Sequence, residues 1–148
     1  MNHKLDKKHK LLNIDGSVLE PGWANQLVHE YSPFDVKTSK LRIKEWDYYI
    51  IVDDDFAFST VIADNRYMGL ANCHFFDFKE NKKYSYSNPL ILPMGGLNMP
   101  TSSAKGDIYY KDKNCRLSYI HEDGGRHLTG HYFATSKRSA LDFDIFLE

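Results

Sequence analysis

A chain of 148 residues is one domain's worth of sequence, enough for a single core. Its composition, 42% apolar and 26% charged, is that of a globular protein, and a net charge of −1 excludes a general electrostatic pull toward nucleic acid or anionic lipid. The aromatic share is high at 14%, with ten Tyr and nine Phe against two Trp, a composition that favours strands.

In chain order, the basic start MNHKLDKKHK reads as a mobile tail covering residues 1–12. It is not a secretory signal, because Asp15 and Gly16 interrupt the apolar run that must follow. No later stretch approaches the roughly 20 apolar residues of a membrane span. NIDGSVLEPGW reads as loop. NQLVHEYS is a strand candidate, and KLRIKEWDYYIIV a stronger one whose apolar phase shifts near Lys44, as at a β-bulge. The acidic turn at 53–55 is followed by the strands FAFSTVIAD and MGLANCHFFDF. KYSYSNPLILPM holds Pro89 and Pro93 and suits an edge or a bent strand. GGLNMPTSSAKG is a long loop, DIYY and CRLSYIH form a hairpin, and EDGG is a turn in which glycine supplies positive φ. RHLTGHYFA runs back, and ALDFDIFLE alternates Leu141, Phe143, Ile145 and Leu147 against Asp142, Asp144 and Phe146. The reading is all-β, an antiparallel barrel of about eight to ten strands, with a β-sandwich as the alternative. Residues 13–148 form its single domain. The last strand, with no partner predicted on its outer side, invites pairing with a second barrel or a second copy of the chain. Cys73 and Cys115 read as free, buried thiols of a cytoplasmic protein.

The segments DG…LEPGWA at 15–24, KEWDYYIIV at 44–52, IADNRYMGLAN at 62–72, FFDF at 75–78 and LILPMGG at 90–96 together resemble an uncharacterised family, domain-of-unknown-function family 2804. That family looks related to the carotenoid hydratase (hydroxyneurosporene synthase) and AttH-like proteins, which are built from two lipocalin-like, calycin-like barrels. The resemblance implies that this chain corresponds to the amino-terminal half of a two-barrel architecture. It also implies a pocket for an apolar ligand, and it carries no established activity.

The candidate chemistry centres on Asp47 and Asp64. A three-residue turn at 53–55 pairs Trp46 with Ile62 and Lys44 with Asp64, and gathers Trp46, Tyr48, Ile50, Phe56, Phe58 and Ile62 on one apolar face. A two- or four-residue turn instead puts Asp47 and Asp64 on a common face. The first register gives the more apolar face and is preferred, which leaves Asp47 solvated. If Asp47 lines the barrel interior with Tyr49, desolvation would raise its pKa and suit it to general acid chemistry. Asp64 reads first as a turn residue that accepts backbone donors, and Arg66, beside Tyr67, as a clamp for a ligand carboxylate. His74 is the histidine nearest the aromatic cluster and reads as packed and hydrogen-bonded. His121, His127 and His131 are the most metal-like set, yet His127 and His131 stand about 13 Å apart along a strand. That is too far to share one Zn²⁺ at about 2 Å each, so no metal is expected, and no cofactor. Ser102 and Ser103 lack a nucleophile elbow.

Three functions follow. The first is binding of an apolar or amphipathic small molecule by Trp46, Tyr48, Tyr49, Arg66, Tyr67 and His74. The second, by analogy to the hydratase relatives, is a hydro-lyase with Asp47 or Asp64 as proton donor. The third is a structural barrel that packs on another.

Overall fold

The computed structural model describes residues 3–102 and 104–148. Met1 and Asn2 of the expected tail, and Ser103, lie outside the described residues. The domain is all-β, and its only helical piece among the described residues is a 3-10 turn at Lys40–Arg42. Among the described residues no helix is long and apolar enough to cross a membrane.

Two four-stranded antiparallel sheets carry the structure. The first runs in chain order through β5 (Glu45–Val52), β6 (Phe56–Asp64), β7 (Met68–Asp77) and β8 (Lys82–Ile91). The second holds β9 (Ile108–Lys111), β10 (Cys115–Glu122), β11 (Gly125–Tyr132) and β12 (Leu141–Leu147), again each beside its neighbour in sequence. Local turns set these registers. Glu122 lies opposite Gly125, and the intervening Gly124 takes φ +89°, which a side chain would resist. Pro89, which has no amide to donate, sits in the edge strand β8, as expected. Among the described residues the ladders end at β5, β8, β9 and β12, and no closed barrel is found.

The sequence from His3 to Leu12, expected as a tail, is paired chain. β1 (His3–Lys4) runs parallel to β3 (Gly22–Trp23), and β2 (His9–Lys10) parallel to β4 (His29–Glu30). Leu5 and Val28 are buried beneath them. Of NQLVHEYS only His29–Glu30 is strand. The phase shift near Lys44 is not a bulge: the 3-10 turn precedes it, and the strand begins at Glu45.

One core lies between the sheets. Phe58, Ile62, Ala71, Cys73 and Leu90 from the first meet Ile108, Cys115, Leu117, Tyr119, Leu128 and Tyr132 from the second. Two aromatics are fully buried in that core. Tyr119 and Tyr132 have no exposed surface, the Tyr119 ring meets Tyr49 edge-on at 5.4 Å, and its hydroxyl lies 2.6 Å from Thr60 Oγ1. Gly130 makes room for Phe143, whose ring atom Cε1 would lie 2.1 Å from an added Cβ. Cys73 and Cys115 are free and fully buried, and burial pushes both thiols up to about 12, where they are unreactive.

A polar network joins the sheets at the far end. Asn88 of β8, 3% exposed, donates through Nδ2 to Asp112 Oδ2 at 2.9 Å and to Tyr110 Oη at 3.1 Å, and its Oδ1 accepts from Asn114. The amides of Asn114 and Cys115 donate to Asp112 Oδ1, and Tyr110 donates to Oδ2. Burial alone would raise the Asp112 carboxyl. The donors from Asn88, Cys115, Asn114 and Tyr110 outweigh it and hold the group below its ordinary 3.8. A pKa depressed by folding stabilises the fold above the unfolded value, and that stabilisation disappears as pH falls through the folded one. Asp112→Asn is therefore expected to cost about 1 kcal/mol at pH 7. The gap from wild type should close as pH drops below 3.8, as read from urea midpoints across that range.

Candidate functional site

The register of the first hairpin decides where the acids go. Val52 lies opposite Ala57, so the connection is one residue longer than the expected three-residue turn, and Trp46 faces Ala63 rather than Ile62. The change flips β5. Glu45, Asp47, Tyr49 and Ile51 point inward, while Trp46, Tyr48, Ile50 and Val52 point out and are 62, 48, 54 and 64% exposed. The stripe expected as core is thus the solvent face. The register set aside above is the one that forms, with Asp47 and Asp64 on the inner face.

The two inward acids of β5 build the same arrangement twice. Glu45 accepts from Arg66 Nη2 at 2.6 Å and from the Tyr31 hydroxyl at 3.1 Å. Asp47 accepts from Arg126 Nη2 at 3.0 Å and from the Tyr49 hydroxyl at 3.1 Å. Burial first, and then the adjacent carboxylate, pushes both phenols up to about 12, so each remains a donor. The arginines come from elsewhere in the chain. Arg66 stands in the β6–β7 turn at φ +67°, and Arg126, 5% exposed, reaches from the other sheet and also donates to the Gly106 carbonyl. The Nε of each arginine is buried without a partner.

Asp64 is fully buried behind this pair, and its oxygens accept the amides of Arg66 at 2.9 Å and Leu97 at 3.4 Å. It thereby ties the β6–β7 turn to the 95–106 loop.

A cleft of about 770 Å³ opens over Glu45 and Asp47. Leu11, Leu27, Val28, Trp46, Met99 and Pro100 supply its apolar wall, and Lys8 and Lys105 stand among its cations. Of the residues expected to bind ligand, Trp46 lines this cleft directly, while Tyr49 and Arg66 hold its acids from behind. Tyr48 and Tyr67 lie outside it, both 48% exposed, and His74 faces outward from β7, where it bonds to Ser85. Sequence reasoning missed Glu45, Tyr31 and Arg126. Only the i, i+2 spacing of Glu45 and Asp47 signalled that two acids share a strand face.

A second, shallower concavity of about 720 Å³ lies on the outer face of β9–β12, lined by Arg116, Ser118, His131 and Asp142 among others. Its histidine is carboxylate-paired: His131 bonds to Asp142, and nearby His127 to Asp144 and Glu122. No three donors among the described residues are placed to hold a metal ion.

Two meander sheets over a shared core, with a doubled Tyr–carboxylate–Arg set at one end, define an all-β domain with an end cleft. The chain belongs to the family described as domain of unknown function (DUF2804), which matches residues 2–148. No curated protein and no solved structure matches it.

Proposed function

We infer that this protein binds an amphipathic small molecule with an anionic head in the cleft over Glu45 and Asp47. The observation that supports this reading is the placement of two buried ion pairs at the base of an open, apolar-walled cleft rather than inside the core. Removing charges from water costs free energy that apolar packing would avoid, so such pairs are common where geometry serves a site. Glu45 and Asp47 already have their arginines, and the other charged residues lining the cleft, Lys8, Lys44 and Lys105 against Glu30, leave a net positive balance that favours an anionic head, while Leu27 and Trp46 suit an apolar body. The inter-sheet space is packed with side chains, which favours the end cleft over a lipocalin-like interior as the binding place. The hydro-lyase alternative asks Asp47 or Asp64 to give up a proton, whereas both accept from donors on every contact described. Two free buried thiols support placing the protein in the cytoplasm.

The test is titration with fluorescent fatty-acid and isoprenoid-acid probes, following quenching of Trp46. Saturable binding is expected, weakened at least about tenfold by Leu27→Glu, which sets a like charge on the wall at a position 64% exposed and so spares the fold. Absence of saturation by every such probe up to about 100 µM overturns the reading.

A further inference from the structure

β5 is an edge strand with an open apolar face, formed by Trp46, Tyr48, Ile50 and Val52. Its backbone is open as well. The Asp53 amide bonds to the Phe56 carbonyl, which in this register directs the odd-numbered residues of β5 toward β6. The amides and carbonyls of Trp46, Tyr48, Ile50 and Val52 therefore point to the free edge. The other three edges are defended. β8 carries Lys82, Lys83 and Pro89, β9 has four residues, and β12 presents Asp142 and Asp144 outward. Short strands, charges and proline are the usual means of keeping an edge from pairing, and β5 has none of them on its outer face.

We propose that β5 is a self-association edge, through which two copies of this chain pair antiparallel about a twofold axis at Tyr49 and merge their first sheets into one. The sequence of the strand is self-complementary in that register. Tyr48 falls opposite Ile50 and Trp46 opposite Val52, so every outer rung sets an aromatic ring against a branched aliphatic, a favoured cross-strand pair. These are also the residues whose backbone groups face the edge, so each rung exchanges both of its hydrogen bonds. Beyond the ladder, exposed Lys44 of one copy meets exposed Asp54 of the other at both ends. On the inner side Glu45 falls opposite Asp53 but is already bound to Arg66. The same construction on β12, centred on Phe143, puts Asp142 opposite Asp144, a like-charge clash. The edge expected from sequence to associate is thus the poorer one. A closed twofold interface is the commonest form of homo-oligomer.

Sedimentation equilibrium of the full chain from about 1 to 100 µM should show a monomer–dimer equilibrium. Ile50→Lys, at a position 54% exposed, should raise its Kd at least about tenfold with an unchanged circular dichroism spectrum. Lys44→Asp and Asp54→Lys should each weaken the dimer, and the two together should restore it, because the exchanged charges meet across the axis. Asp142→Lys should leave the dimer intact. A monomer throughout the range, a dimer indifferent to Ile50→Lys, or failure of the double exchange to rescue overturns the proposal.

Discussion

Arg126→Ala is expected to destabilise the protein by about 3–5 kcal/mol, measured as the shift in urea midpoint at constant m. Arg126 is buried on β11, yet both of its bonded groups lie on other elements, the Asp47 carboxylate of the opposing sheet and the Gly106 carbonyl of the loop before β9. Truncation leaves Asp47, whose side chain is 16% exposed, with only the Tyr49 hydroxyl. A buried carboxylate that loses its counterion costs more than the pair contributed, because its desolvation is no longer offset. Arg126→Lys keeps the charge but not the planar fork, so it cannot serve both acceptors with the same geometry, and an intermediate loss is expected. The double change Asp47→Leu with Arg126→Met should recover most of the stability, since it removes both charges and keeps the volume. It should not recover probe binding, because the floor of the cleft has lost its polar groups. That divergence between stability and binding separates a role in the site from a role in the fold.

The same ion pair shows why the site was only partly legible. Elements whose pattern is set locally were readable: the clean alternation of Leu141–Leu147, the glycine turn at Asp123–Gly124, and Pro89 on an edge. The facing of β5 was not. Trp46, Tyr48, Ile50 and Val52 form the more apolar stripe, and hydrophobicity alone turns that stripe inward. The chain turns Glu45 and Asp47 inward instead, because Arg66 and Arg126 wait there with tyrosines to satisfy them. Arg126 is 79 residues distant, so no local window holds both halves of the pair. One additional residue in the hairpin connection sufficed to reverse the faces, since strand side chains alternate with period two. The outward apolar stripe that results demands its own explanation, and pairing between copies provides one. The residues from His3 to Leu12 were hidden for another reason: their order comes from two-residue parallel ladders to chain far along the sequence, which leave no periodic trace.

Tyr119→Ala is expected to cost about 3–5 kcal/mol, while the same truncation at Trp46 should move the midpoint of the dilute protein by less than about 0.5 kcal/mol. Both are aromatic residues on strands, and their sequence contexts, LSYIH and KEWDY, do not foretell the difference. Tyr119 has no exposed surface and fills the space between the sheets against Tyr49, whereas Trp46 is 62% exposed. Removing the Tyr119 ring forfeits its transfer free energy and leaves a void that two hydrogen-bonded sheets cannot collapse to fill. Tyr119→Phe isolates the hydroxyl. Thr60 Oγ1 retains the Asn72 carbonyl at 3.2 Å as an acceptor for its proton, so only about 1 kcal/mol should be lost. If the interior were instead a ligand chamber, loss of the ring would enlarge it at little cost, and added apolar probes would bind the wild type there. A small penalty for Tyr119→Ala, together with probe binding that survives Leu27→Glu, would move the ligand from the end cleft to the space between the sheets.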